Sequence, residues 1–282
     1  MTPYKTSVKL NPGQELLLVP FGDVHYNVAA CDKVRFQKLI DWLKRKEDAG
    51  NVVRLIGMGD YNDAFSPSER RKIKGADLHD TTYEAIDDMV AGFVETFADV
   101  MKPLHKNIIG LVGHHHQSEY SDRGKFPYEN SDDHLADLMG CPYFGVSALI
   151  KLVFEPSGLD IKIAVHHGWG GGRTAGYLVT KRQQFGAVFP AAQLILMGHD
   201  HHKFPYPNAG LDLDEDSPDG LRDVKRHFIA TGSFLRGYTP GKRASYVEKA
   251  GLMPADLGVV IITMHIEEGN DGRKRIDWHT SV

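Results

Sequence analysis

LLLVPFGDVH (Leu16–His25) and VVRLIGMGDYND (Val52–Asp63) decide how this chain folds. Each begins as a short apolar run and ends in Gly-Asp, followed by further polar side chains. Between them, Val34, Leu39, Ile40 and Leu43 recur at helical spacing over Asp32 to Asp48, with Asp32 suited to cap the start and Gly50 to stop the end. Strand, helix and strand within a few dozen residues is the signature of a parallel crossover unit.

The same pattern returns further along. Ile108–Val112 runs into Gly113-His114-His115, Ile161–Val165 into His166-His167-Gly168, and Leu194–Met197 into Gly198-His199-Asp200-His201. In open α/β sheets ligands bind in the crevice beyond the carboxyl ends of the strands, so residues distant in sequence can converge there. The glycines before Asp23, Asp60, His114 and His199 suit sharp turns. Carboxylates supply the charge that neutralises a divalent ion, and a carboxylate can bridge two ions about 3.5–4 Å apart. Neutral imidazoles favour Mn, Fe, Co, Ni or Zn over Ca or Mg. The pattern therefore points to a pair of metal ions, an arrangement suited to driving water onto phosphorus.

The remaining segments are read more coarsely. A long helix is expected over about Thr82 to Leu104, with Ile86, Met89, Val90, Phe93, Val94, Phe97, Val100 and Met101 as its core stripe. Asn62 to Thr81, polar and basic, reads as a long loop or short helices over a site, Gln117 to Asn130 as a polar loop, Asp132 to Met139 as a short helix, and Thr180 to Phe185 as another. Ser147–Phe154 and Ile161–Val165, joined by Glu155-Pro156-Ser157-Gly158, suggest a hairpin. Leu211 to Asp223 reads as an acidic solvated loop without the regular ligand spacing of a calcium loop. His227–Ala230 and Gly258–Met264 are the late strands.

The bulk numbers exclude several classes. The chain has 282 residues, a net charge of −4 and 41% hydrophobic residues, an ordinary balance for a globular protein with no general pull toward nucleic acid or anionic membrane. Cys31 and Cys141 make no disulfide framework, and Cys31 reads as a small apolar side chain. The polar start, Met1 to Leu10, lacks a signal-peptide core, and no run is long enough to span a bilayer, so a soluble, cytoplasmic protein without a membrane partner is expected. No linker or internal repeat divides residues 1–282, and one domain is expected.

These motifs, in this order, resemble those of the calcineurin-like metallophosphoesterases: Asp-x-His at Asp23 and His25, Gly-Asp-x-x-Asp at Asp60 and Asp63, Gly-Asn-His at Gly113 to His115, His-Gly at His167-Gly168, and Gly-His-x-His at His199 and His201. The resemblance covers about residues 15–265. It implies an α/β fold, a four-layer α-β-β-α sandwich of two mixed sheets flanked by helices, with a dinuclear metal centre at the strand ends. One ion would be held by Asp23, His25, Asp60 and His201, and the other by Asp60, His114, His167 and His199, with Asp60 bridging. His115 would be the catalytic histidine and Asp63 the carboxylate that orients it. Two departures stand out: His114 replaces the family's Asn, and Ala64 follows Asp63 where the protein serine/threonine phosphatases carry Arg-Gly.

The implied cofactors are two divalent transition-metal ions, with Mn first and Fe, Zn, Ni or Co as alternatives. The implied reaction is hydrolysis of a phosphate ester by a hydroxide shared between the ions. The expected substrate is a phosphodiester of a nucleotide or nucleic acid; a broad phosphomonoesterase and a non-catalytic scaffold on the same fold are the alternatives. Gly171, Gly172 and Arg173 form a candidate phosphate cradle, the run Arg70, Arg71, Lys72 and Lys74 a candidate backbone track, and Tyr26, Tyr120 and Tyr128 candidate base-stacking rings, each weighed against ordinary loop, surface or packing roles.

Overall fold

Strand β2 (Leu16–Phe21) is buried along its whole length, which is why its sequence is apolar without alternation. Leu16 and Leu18 point into one cluster and Leu17, Val19 and Phe21 into another, so both faces of the strand are covered. The computed structural model describes residues 1–64, 72–73, 79–114, 116–121, 125–171, 174–214, 220–241, 246–249, 251–269 and 272–282. Helix α1 (Lys33–Asp48) leads from β2 to β3 (Val52–Gly57), which pairs in parallel with β2 as the crossover pattern requires. The Asp32 carboxylate accepts the Arg35 N–H and caps α1.

A five-stranded sheet has the order β12 (Lys274–Ser281), β11 (Ile261–Glu268), β2, β3, β4 (Ile108–Leu111). Strands β2, β3 and β4 are parallel, and β11 runs antiparallel to both its neighbours. The second sheet has seven strands, β1 (Thr2–Lys9), β5 (Ser147–Glu155), β6 (Asp160–His166), β7 (Leu194–Met197), β9 (Leu221–Ser233) and β10 (Gly258–Val259) in order, with β8 (Lys203–Leu213) on β9. It is also mixed: β6, β7 and β9 are parallel, while β5, β8 and β10 oppose their partners β6, β9 and β9.

The two sheets face each other across one apolar cluster that includes Leu16, Leu18, Ile56 and Met58 from one side and Ile150, Leu152, Ile163, Val165 and Leu196 from the other. The far face of the five-stranded sheet packs on α1, α2 (Asp80–Met101) and α3 (Ser131–Met139), with the Phe36 and Phe97 rings stacked 5.8 Å apart. The far face of the other sheet packs through Ile195, Met197 and Phe228 on Phe185 of α4 (Ala175–Val188). The result is the expected four-layer α-β-β-α sandwich of two mixed sheets. Among the described residues no helix is long and apolar enough to cross a membrane.

Three expectations need correction. The stripe of α2 is narrower than its spacing suggests: Val90, Val94, Phe97 and Met101 are buried, but Met89 is exposed and Ile86, Phe93 and Val100 are only partly covered. Asp87 is buried in the same helix because its carboxylate accepts the Ser121 N–H. That helix gives way at Met101 to a 3-10 turn, Lys102–Asn107, where Pro103 has no N–H for an α-helical bond. Finally, Leu211–Leu213 and Leu221–Asp223 are the paired ends of β8 and β9 rather than a loop, closed by the cross-strand ion pair of Asp212 and Arg222; residues 215–219 lie outside the described residues. The edge strands β1 and β12 escape sequence reading because one face of each is wet, which leaves polar residues at alternate positions.

Candidate metal centre

The carboxyl ends of β2, β3, β4, β6 and β7 open onto one site, and each is followed within three residues by a predicted ligand: Asp23, Asp60, His114, His167 and His199. The loops after β2 and β3 are zipped together by main-chain bonds: Asp23 N–H donates to Gly59 O at 2.9 Å, and Val24 and His25 N–H donate to Asp60 O at 2.9 and 3.0 Å. Asp23 then reaches across to the other sheet, where its carboxylate accepts the His199 N–H at 3.0 and 3.2 Å.

The backbone is strained at this place. Among the described residues, the non-glycine residues with positive φ are Asp23 (47°), His25 (48°), Asp60 (52°), His199 (74°) and His201 (57°). A left-handed conformation costs an L-residue about 1–2 kcal/mol, and such outliers concentrate at functional sites. All five are predicted metal ligands. Glycine is needed between them for a different reason. At Gly59 (φ 93°) a Cβ would stand 2.5 Å from His167 Nδ1, so a side chain there would displace that imidazole.

Two donor groups share Asp60. In the first, Asp23, His25, Asp60 and His201 converge. His201 Nε2 is 3.2 Å from Asp23 Oδ1, and His25 Nε2 is 3.4 Å from His201 Nε2 and 3.7 Å from Asp60 Oδ2. In the second, Asp60, His167 and His199 converge, with His167 Nε2 3.4 Å from Asp60 Oδ1. A third group, His25, Asp63 and His116, lies alongside. There His116 Nδ1 is 2.8 Å from Asp63 Oδ1 while its Nε2 is 3.8 Å from Asp60 Oδ2.

The far nitrogens of the second group's imidazoles are committed. His167 Nδ1–H donates to Met58 O at 2.7 Å and His199 Nε2–H donates to Gly170 O at 2.9 Å. That fixes both tautomers and turns His167 Nε2 and His199 Nδ1 toward the cluster, the outer support that metal-binding histidines usually have. Carboxylate oxygens and imidazole nitrogens 3.2–3.7 Å apart, with the His167 and His199 rings locked from behind, fit divalent transition ions, whose bonds to such donors are about 2.0–2.2 Å long.

The protein's own groups polarise the site strongly. Burial would push the Asp60 carboxyl up, but His167, His25 and His116 hold it well below its usual range. Burial likewise opposes ionisation of Asp63, and hydrogen bonds from His116 and His25 overcome it. Burial lowers His167, but the Asp60 and Asp23 charges lift it to about 9. His116 reaches about 9 against burial through Asp63 and Asp60. Burial and the neighbouring His167 push His199 down to about 4.

The other predicted residues divide. His114 stacks its ring on His167, with centroids 5.7 Å apart and planes at 26°, and is not among the convergent donors. His115 lies outside the described residues; among those described, the imidazole nearest Asp63 is that of the next residue, His116, at 2.8 Å, with His25 at 3.7 Å. Three consecutive histidines were visible in sequence, but which one meets Asp63 depends on how the loop turns after β4. Gly171 is exposed, and Gly172 and Arg173 lie outside the described residues, as do Arg70, Arg71 and Lys74. Tyr26 packs among Phe36 and Phe97, Tyr120 bonds His134 at 2.8 Å, and Tyr128 stacks on His134 at 4.3 Å, so these three rings are packing groups. Burial pushes the Cys31 thiol up to about 11, as befits an inert side chain.

Asp200 fills the unassigned position of the Gly-His-x-His motif. It is the anchor of that loop: both its oxygens lie 2.9 Å from Arg182 Nη2, and Lys181 Nζ is 3.3 Å away.

No family model matches the chain, and no curated protein matches it. Solved structures similar to it include Vps29 of Chaetomium thermophilum, at a TM-score of 0.32 and 8% identity over 95% of this chain and 96% of that one. The same protein complexed with a cyclic peptide gives a TM-score of 0.25 and 10% identity over the same shares. Neither likeness bears on what this chain does.

Proposed function

We propose that this protein is a metal-dependent phosphoesterase of the calcineurin-like kind, holding two divalent transition ions and hydrolysing phosphodiesters of nucleotides or nucleic acid. The observation that carries the reading is the position of Asp60. Its Oδ2 faces His25 and its Oδ1 faces His167, so one buried carboxylate stands between two sets of donors. Asp23, His25 and His201 would complete one ion's shell, and His167 and His199 the other's, with His114 beside it. Bound there, the ions would lower the pKa of coordinated water and neutralise the phosphoryl oxygens, with Mn the first candidate.

The chain's own residues then do the rest. Asp63 Oδ1 accepts the His116 Nδ1–H, which holds Nε2 beside the shared carboxylate, 3.8 Å from Asp60 Oδ2. A proton on that Nε2 can stabilise charge on phosphorus or pass to the leaving oxygen, the work of a positioned general acid. This role was expected of His115; we assign it to His116 because His116 is the imidazole on Asp63.

The test is metal content together with turnover. Wild type should carry close to two ions per chain after exposure to Mn²⁺ and hydrolyse bis-p-nitrophenyl phosphate. Asp60→Asn should lose both ions and turnover. A wild-type protein that stays metal-free and inactive, or an Asp60→Asn variant with unchanged metal content, would overturn the proposal.

A further inference from the structure

A row of rings leads outward from the Asp60 cluster along the end of β6. His114 stacks on His167, His166 lies 6.3 Å from His114, and Trp169 lies 5.0 Å from His166, edge-on at 77°. Exposure rises along it: His167 is fully buried, His114 and His166 are partly covered, and Trp169 is 37% exposed. The row is thus closed at the donor cluster and open at its far end.

Trp169 is held in place on several sides. Its carbonyl accepts the buried ammonium of Lys181 at 3.2 Å, and the next carbonyl, of Gly170, accepts His199. Phe185 backs the row, 5.2 Å from His166 and 6.3 Å from Trp169. The His166 Nδ1 is occupied inside the loop by the Gly168 N–H at 2.7 Å. Across the loop stands Tyr177, also exposed, its hydroxyl 3.9 Å from where a Cβ of Gly170 would be.

An indole buries about 150–250 Å² when covered, so a fixed, exposed one beside a polar site offers a large stacking face. Every nucleobase has a π face that can use it, independent of sequence. The tyrosines that sequence suggested for this work are occupied elsewhere.

We infer that His114, His166 and Trp169 form a subsite for the base of a nucleoside phosphate whose phosphate lies at the Asp60 cluster, an inference that rests on the phosphoesterase reading above. The base takes the open, Trp169 end of the row, and the closed end borders the phosphate.

The experiment titrates Mn²⁺-loaded protein with AMP and, separately, with inorganic phosphate, by calorimetry and by tryptophan fluorescence. Wild type, Trp169→Phe and Trp169→Ala are compared. The position is partly exposed, Trp169→Phe keeps an aromatic ring there while Trp169→Ala removes it, and circular dichroism checks the fold of both. AMP should quench wild-type fluorescence, and the quench should vanish in Trp169→Phe although AMP still binds. Trp169→Ala should bind AMP at least about 5-fold more weakly while phosphate binds as before. Equal AMP affinity in wild type and Trp169→Ala, or AMP binding without any quench in wild type, would overturn the subsite and leave the phosphoesterase reading standing. Failure of both AMP and phosphate to bind loaded wild type would instead overturn the reading on which the subsite rests.

Discussion

Lys181 and Asp200 form a buried ion pair, Nζ to Oδ2 3.3 Å, with side chains only 1% and 4% exposed. Arg182, fully buried, meets the same carboxylate at 2.9 Å and also donates to Met197 O at 3.0 Å. Two cations from α4 thus converge on one carboxylate lying between His199 and His201, and Lys181 also holds the Trp169 carbonyl. The helix behind the second sheet thereby fixes both loops that carry the histidines of the second donor group.

Removing that carboxylate should be expensive. Asp200→Ala leaves two buried cations facing each other, and breaking a buried pair from one side costs about 3–5 kcal/mol. Urea unfolding of Asp200→Ala should show a loss of that size, and Lys181→Met in the same background should recover part of it. A loss below about 1 kcal/mol would mean that the cluster does not hold the loop.

His116 and His115 can be separated by single substitutions. His116→Ala should lower turnover about 10²–10⁴-fold with metal content unchanged, the ordinary worth of a positioned proton donor. His115→Ala should lose less. If the order is reversed, the assignment passes back to His115.

Gly59 is a steric test of the second donor group. Gly59→Ala puts a methyl 2.5 Å from His167 Nδ1, against the bond that ring makes to Met58 O, and does so at a φ of 93°. The variant should lose about 1–3 kcal/mol in thermal unfolding and should bind metal less tightly, as seen in chelator competition. Wild-type values in both measurements would show that His167 has room to spare.

Ion uptake should release protons. His167 stands near 9 in the protein's own field, so at pH 7.5 it carries a proton that a bound ion must displace. Apparent Mn²⁺ affinity should therefore fall as pH drops from about 9 to 6, and a pH-stat should record acid on metal addition. An affinity flat over that range would contradict the assignment of His167 as a ligand.

Acid stability offers a control far from the site. Burial would raise Glu47, but Lys44, Asn107 and Lys106 outweigh it and hold its carboxyl at about 2, against an ordinary 4.5. A depressed acid stabilises the fold above its unfolded pKa, and that contribution drains away as pH falls from about 4.5 toward 2. Glu47→Gln should be less stable at pH 7 by up to about 1 kcal/mol, because the pairs are partly exposed. The gap should shrink from about pH 4.5 and close as pH falls through about 2. A gap that persists there would point to packing rather than charge.

Much of the architecture is written locally. The strands Leu16–Phe21, Ile108–Leu111 and Leu194–Met197 are buried on both faces and so carry no charged residue, while Val52–Gly57, partly open at Val52 and Arg54, is interrupted only by that arginine. The Gly-Asp and Gly-His signals survive for a related reason: a chain leaving a buried strand must turn sharply, and polar side chains at that turn have only the crevice to face. Edge elements were harder to read. Strands β1 and β12 and the ribbon of β8 and β9 have one wet face, so their polar composition looks like loop until a partner strand is known.

The sequence by itself therefore determined the α/β succession of strands and helices and the acidic and imidazole groups that follow the strands, because strand burial and turn chemistry act over a few neighbouring residues; the pairing of those strands into two stacked sheets came only from the family resemblance. Tertiary structure alone decided that Asp60 stands between two donor groups, that His116 meets Asp63, that His114 stacks on His167, and that Lys181 and Arg182 anchor Asp200. Each of those is an ångström-scale distance between groups brought together by different loops. Such distances are set by the packing of two sheets and by left-handed backbone at five predicted ligands, neither of which leaves a periodic mark in the chain.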